Sequence, residues 1–410
     1  MTLSPILLAH PKKSGRVQIR QFILSILLGL TLWIPEALAG PPLFGAEFTF
    51  SSDALQTAAQ GQGRVVNIAE VVAAQVAMRN ILQARCAARG DCSIQILQNG
   101  YGVETYRVNY TDGFWFQIST DPSVVEVQTN PNSAENIERL QNRIQTDIFD
   151  VAADPAVGIR PFEFAGGGHI HMGLESTFGG DARLFRNFMV DFVNHWELAS
   201  GILSTDHLNA PPIAALKDSQ RKEFINAIRD FDEGKIKTIE KLAARVEKRV
   251  LRETPSGWAP AIKYHAMVLT RIISSKFKPS ERTIELRSIR AQRSAKEYAL
   301  ITKLFDRRVA FLRSHNAFLE LEPFNDLART MKNHEKVAAA RFRTYVEDSG
   351  LQWSDYQGIA RAIPSEVMAA APDSTSDRSS RWKIKLIKNK NNRTNTCVVR
   401  EFSEAVNLFP

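Results

Sequence analysis

The sequence predicts an α+β fold, an antiparallel sheet and a set of helices sharing one core, and three observations predict it. Four strand-like runs follow one another between residues 93 and 129 with only short turns between them, which suits antiparallel hairpins and leaves no room for βαβ crossovers. Stretches with apolar residues at helical spacing lie on both sides of that block. Three further strand-like runs, FGAEFTF, GGGHIHMG and ERTIELRS, are dispersed along the chain and carry acidic or imidazole side chains among apolar ones.

At the N-terminus, Lys12, Lys13, Arg16 and Arg20 precede the apolar run Phe22 to Ile34, which leads into Pro35 and the small-residue pattern Ala37, Leu38, Ala39. That order reads as a secretory signal peptide over residues 1–39, cleaved after Ala39. The run is short for a membrane span, so an inner-membrane anchor is the alternative and export to the periplasm the expectation. Cysteine usage agrees. Cys86 and Cys92 are close enough to bridge in an oxidising compartment, Cys397 stands alone in the tail, and the spacing matches no zinc motif.

The first strand is FGAEFTF, with Glu47 at its centre. Val65 to Arg85 reads as a helix, because Val72, Val76, Ile81 and Leu82 recur at helical spacing, and the turn Arg89, Gly90, Asp91 ends it. The strands SIQILQ, VETYRVNY, GFWFQIST and SVVEVQT follow, with turns at Asn99–Gly100 and Asp112–Gly113. Ser133 is placed to cap a helix running to Val151, with Glu135 in its first turn. After the histidine strand, Asp181 to Leu203 reads as one long helix whose apolar face carries Leu184, Phe188, Phe192 and Trp196, a spacing that marks core.

Two charged helices are expected over about Ser219 to Arg252, broken at Gly234, and the mixed charges of IEKLAARVEKRV read as a solvated face. Tyr264 to Ile273 and Thr283 to Ile289 are expected to pair as strands. Helices over Ala291 to His315 and Pro323 to Glu347 come next, Pro323 suiting a first helical position. The tail changes character. Residues 369–380 are rich in Ala, Ser, Asp and Pro and read as a linker, while RWKIKLIKNKNNR reads as an edge strand protected by lysines, with a lipid- or peptidoglycan-binding patch as the other reading. The domains expected are therefore the leader 1–39, a folded domain 40–350 and a partly disordered C-terminal extension 351–410.

A chain of 410 residues, 44% hydrophobic and 23% charged, can bury a sizeable core. Its net charge of +8 sits partly in the leader and tail and forms no basic stripe, which argues against nucleic acid as a partner. The chemistry concentrates in the dispersed strands. His169 and His171 are two apart on a strand and share a face, with Ile170 turned into the core. Glu47, Glu126 and Glu285 lie inside apolar runs, where a carboxylate is costly unless it is paired or binds a cation, and Arg282 and Arg287 flank Glu285.

Four of these segments occur in a telling order: a strand opening like GxExE at Gly45, a DxSxxE segment from Asp121 to Glu126, a GxHxH strand ending at His171, and TxExR from Thr283 to Arg287. Together they resemble the amidoligases of the glutamine synthetase and glutamate-cysteine ligase superfamily, over about residues 44–312. The resemblance implies a glutamine synthetase-like curved antiparallel sheet of about six strands, with helices packed on its outer face and the site on the concave side. It also implies an ATP-dependent carboxylate-amine ligase, in which ATP converts a carboxylate to an acyl phosphate and an amine then attacks it.

Carried onto this sequence, the resemblance makes Glu47, His169 and Glu285 ligands of the Mg2+ or Mn2+ ion nearest the phosphate, and Glu126 a ligand of a second ion facing the amine. It gives His171 and Arg287 to the nucleotide phosphates, and Arg287 with Arg282 to the reacting groups, because a guanidinium grips phosphoryl and carboxylate oxygens in two-point fashion. The pattern departs at Thr49, where a second acidic residue is expected, and at the neutral Gln128 and Asn130, which would leave amine deprotonation to Asp121 or Glu163. Partners would be small-molecule or peptide carboxylates and amines, with membrane contact only through the leader. Thr49 and the leader favour an alternative, an exported and catalytically altered protein of the same fold that binds a peptide or amino-acid ligand. A distant acid with an HxH pair is also a zinc pattern, which makes a metallohydrolase the third reading.

Overall fold

A computed structural model describes residues 40–52, 65–98, 103–121, 124–162, 168–199, 210–251, 265–332, 334–359, 383–388 and 395–400. The expected leader, Glu163 and the linker 369–380 lie outside the described residues. The strands are β1 Leu43–Ser52, β2 Val65–Asn67, β3 Cys92–Gln98, β4 Glu104–Tyr110, β5 Trp115–Asp121, β6 Val124–Thr129, β7 Asn132–Ser133, β8 Ile159–Pro161, β9 His169–Gly173, β10 Met267–Val268, β11 Thr283–Leu286, β12 Lys383–Lys388 and β13 Asn395–Arg400. The longer helices are α1 Ile68–Arg89, α2 Ala134–Ile144, α3 Ala182–Asn194, α4 Asp218–Asp232, α5 Ile239–Arg249, α6 Ala295–Ser314, α7 Phe324–Lys332 and α8 His334–Asp348.

The fold is α+β. Its main sheet has ten strands in the order β10-β11-β9-β1-β6-β5-β4-β3, with β7 and β8 also paired to β1, against the six or so that the sequence suggests. Every pairing is antiparallel. The run from β3 to β6 is the local meander legible in the sequence. The other half is not local: β9 lies between β1 and β11, strands more than a hundred residues apart in the chain.

Alternation gives this sheet one apolar and one polar face. The apolar face holds Phe44, Ala46, Phe48 and Phe50 of β1, Ile170 and Met172 of β9, Ile284 and Leu286 of β11, Val125 and Val127 of β6, and Phe116 and Ile118 of β5, all buried. Helices cover it. The Phe48 ring meets Phe149 and Tyr298 of α6 edge-on at 5.1 and 5.2 Å. Gln75 of α1 donates to the carbonyls of Glu104 and Ile118, tying that helix to β4 and β5. Each such ring taken from water stabilises by about 1.5–3 kcal/mol, so burial of this face decides which way every strand is turned.

Several expected boundaries move. Val65 and Val66 belong to β2, which pairs with β13 of the tail, and the helix begins only at Ile68 and continues to Arg89. The helix expected from Ser133 to Val151 has its Ser133 cap, whose hydroxyl accepts from the Asn136 amide. It widens into a π turn over Gln145–Phe149, which carries Asp147 fully inside to meet Arg85, Arg89 and Tyr110. The helix expected from Asp181 to Leu203 is broken after Asn194 and resumes for a turn over Trp196–Ala199, because His195 leaves helical geometry and puts its Nδ1 2.8 Å from Glu197 Oε1 and its ring 4.6 Å from that of Tyr345; residues 200–203 lie outside the described residues. Tyr264 to Ile273 yields only the two-residue edge strand β10, followed by a helical turn, Thr270–Ile273. The stretch from Pro323 is two helices, α7 and α8.

The lysine-rich run of the tail forms β12, the edge of a three-stranded sheet ordered β12-β13-β2. Cys86 and Cys92 are joined in a disulfide that ties the end of α1 to the start of β3.

Candidate metal centre

On the polar face, cross-strand register decides which side chains meet. Glu47 of β1 lies directly opposite His169 of β9, and His171 lies opposite Gly45 on one side and Glu285 of β11 on the other. Directly opposed and diagonal side chains on one face are within reach of each other. His169 Nδ1 is 3.0 Å from Glu47 Oε2 and 3.4 Å from Glu285 Oε1. His171 Nε2 reaches diagonally to Glu47 Oε1 at 3.1 Å, where Gly45 puts no side chain in its way. The donor atoms of Glu47, His171 and Glu285 lie within 4.8 Å of one another.

The protonation pattern follows from this geometry. Burial pushes the Glu47 carboxyl upward, but hydrogen bonds and charge from His169 and His171 more than offset it, so its pKa is held well below the usual carboxylate range. An ionised carboxylate only accepts, so both rings donate to Glu47, and the other nitrogen of His171, Nδ1, lies 3.1 Å from the Thr283 hydroxyl. Thr283 thereby fixes the ring plane, the role that supporting partners play at metal-binding histidines. Glu47, His171 and Glu285 form a donor set that suits a divalent cation, with His169 against both carboxylates and each of the four side chains 10–14% exposed. The mixture of nitrogen and oxygen fits Mn2+ or Zn2+ better than Mg2+, which takes oxygen.

Arg287 joins the group by donating to Glu285 Oε1 at 3.0 Å. Glu126 of β6 lies opposite Thr49 and accepts from Gln128 Nε2 at 2.6 Å. Burial, then the charges of Glu47 and Asp121, push its pKa up to about 8, with Gln128 and Arg287 pulling the other way. Glu126 therefore belongs electrostatically to the same cluster, and Asp121 acts on it from the exposed end of β5.

The structure thus brings together Glu47, His169, His171, Glu285 and Arg287, with Glu126 one strand beyond Glu47. Of the two histidines, His171 falls in the group with Glu47 and Glu285 that could hold a cation, whereas the resemblance gives His169 to the metal and His171 to the phosphates. Arg282 is not brought there. It precedes β11 and pairs with Glu240 of α5 at 3.3 Å, so the role expected of it beside the reacting groups finds no support in its position. Asn130 is a turn residue whose Oδ1 accepts from the Trp115 amide and whose Nδ2 donates to the Gly113 carbonyl.

Two contributors escaped the sequence reading. Thr283, which the sequence marks only as the start of TxExR, meets His171, and a threonine two residues before a strand glutamate shares its face, which is the signal available in the sequence. Gly168 sits before His169 because a Cβ there would lie 2.2 Å from the Arg290 carbonyl oxygen and from Gln292 Nε2, so the glycine run partly serves close backbone approach. Compared with known proteins, the chain matches no family model and no curated protein.

Proposed function

We propose that this chain is a metal-dependent carboxylate-amine ligase on a glutamine synthetase-like fold. One observation carries the reading: Glu47, the histidine pair and Glu285, drawn from three strands far apart in sequence, meet on the polar face of an antiparallel sheet with Arg287 beside them. Glu47, His171 and Glu285 would hold the cation, with His169 bonded to the carboxylates beside it. When bound, a metal-nucleotide pair supplies the phosphoryl group that turns a carboxylate into an acyl phosphate.

The chain's own residues do the rest. Arg287 presents a planar fork to carboxylate or phosphoryl oxygens. Glu126 is protonated near neutrality partly because Glu47 is charged. Neutralising Glu47 removes one cause, and the freed Glu126 carboxylate can then take a proton from an incoming ammonium group.

A second reading has its own support. The Cys86–Cys92 disulfide belongs to an oxidising compartment, where ATP is scarce, and the neutral Thr49 stands opposite Glu126. Both favour an exported protein of this fold that binds a peptide or amino-acid ligand without turnover.

Thermal unfolding of the full chain, alone and with MnCl2, MgCl2 or ZnCl2, each with and without ATP, separates the readings. A ligand at a hundredfold its dissociation constant stabilises by about 2.7 kcal/mol. The ligase reading expects a shift with Mn2+ that grows with ATP and vanishes in Glu285→Ala. A metal shift that ATP does not change overturns the ligase and leaves the binding protein, and no shift with any metal overturns the metal centre.

A further inference from the structure

The row of cross-strand partners that starts at the metal centre does not end there. His169, Glu47, Gln128, Gln117 and Arg107 are opposed in register from β9 through β1, β6 and β5 to β4, so all five point from the polar face. We infer that Arg107, laid on the Trp115 ring at the far end of this row, holds a carboxylate of an elongated, peptide-like ligand whose other end lies at Glu47 and the histidines. The inference rests on the metal-centre reading above and adds the class of ligand.

Arg107 is built as a receptor for an anion. Its guanidinium carbon lies 4.1 Å from the centre of the Trp115 ring, which fixes the plane of the fork. Among the described residues its one polar contact is donation from a terminal nitrogen to the neutral Gln117 Oε1 at 3.0 Å. Its Nε is buried without a hydrogen-bond partner, and among the described residues it makes no ion pair. The neighbours on its face, Thr105, Asn109, Gln95 and Trp115, carry no charge. A half-buried guanidinium that keeps donors free on its two terminal nitrogens, with no acid beside it, is suited to two-point capture of a carboxylate.

The ground between the two ends fits a peptide. Gln128 and Gln117 stand between them, Gln128 using its amide nitrogen on Glu126 and Gln117 its oxygen on Arg107. Among the described residues no protein group bonds Gln128 Oε1 or Gln117 Nε2, which leaves one acceptor and one donor for main-chain amides of a ligand. From Glu47 to Arg107 is three strand spacings, about 14 Å. An extended chain covers about 3.4 Å per residue, so three residues and a short acid end span it.

N-succinyl-Ala-Ala-Ala, a carboxylate at each end, is a probe of that length. Its binding to the full chain is measured by calorimetry with and without Mn2+, beside the same molecule ending in a C-terminal amide. We expect the acid to bind at least tenfold more tightly than the amide, and Arg107→Gln to erase that preference while leaving Mn2+ affinity unchanged. Equal affinities in the wild type, a preference that survives Arg107→Gln, or no binding of either probe overturns the inference. Failure of Mn2+ to bind in its own titration overturns the metal-centre reading separately.

Discussion

Glu47 and His169 face each other across the β1–β9 ladder, and their side chains meet at 3.0 Å although 122 residues separate them in the chain. The contact exists because β9 joins β1 on the side away from the local meander. It gives the Glu47 carboxylate a hydrogen-bond partner and puts a second histidine, two residues on, within reach of the same carboxylate.

Replacing Glu47 by Gln keeps its size and removes the anion that both rings address. Mn2+ affinity should fall by about a hundredfold or more, measured by calorimetric titration, since a carboxylate ligand is lost together with the group that orients both imidazoles. Affinity within threefold of wild type would remove Glu47 from the centre.

Gly168→Ala tests the glycine before the histidines. The added Cβ would fall 2.2 Å from the backbone oxygen of Arg290, which cannot swing away as a side chain can. Urea unfolding should show a loss of more than about 2 kcal/mol, with weaker Mn2+ binding as His169 is displaced. A neutral substitution would mean the strand can shift at no cost.

Asp147 governs stability away from the centre. Burial raises its pKa, but hydrogen bonds from Arg89 and Tyr110 and the charge of Arg89 outweigh burial and lower it. A carboxyl lowered on folding stabilises the fold above its unfolded value near pH 4 and loses that contribution as pH falls through the lower folded value. Asp147→Asn should therefore cost about 3 kcal/mol at pH 7, the low end for a broken buried pair because Arg85 and Arg89 are partly solvated. The gap between mutant and wild type in urea midpoint should close on acidification; a gap that does not change between pH 7 and pH 3 would contradict this.

The Cys86–Cys92 bridge closes a very short loop. In the chain-entropy account such a loop contributes about 2 kcal/mol, so reduction, or Cys86→Ser with Cys92→Ser, should lower the melting temperature by about 3 °C in a chain of this size. No change on reduction would show that Cys86 and Cys92 are not bridged in solution.

The meander from β3 to β6 was legible because its alternation and its turn at Asp112–Gly113 are local, and so was the Ser133 cap; the turn expected at Asn99–Gly100 lies outside the described residues. The length of the helix after Asp181 was not, because the break at His195 is set by Glu197 and by Tyr345, which lies 150 residues further on. Strand β2 was misread as helix since its partner is in the tail. For the centre, the residue types were legible in Glu47, the histidines and Glu285, where costly polar groups interrupt apolar runs. Arg282 was misplaced because a charged residue beside a strand gives no hint that Glu240 of α5 will claim it.

Period and composition alone determined that the chain folds as α+β, that His169 and His171 share a face, and that Glu47, Glu126 and Glu285 need a partner or an ion. These follow from the two-residue repeat of a strand and from the cost of a buried charge, both properties of a short segment. Only the tertiary structure decided that β9 inserts between β1 and β11, that Glu47 takes both histidines, and that the row continues through Gln128 and Gln117 to Arg107. Strand order and register are set by burying the apolar face as a whole, and that free energy belongs to the assembled sheet rather than to any one of its strands.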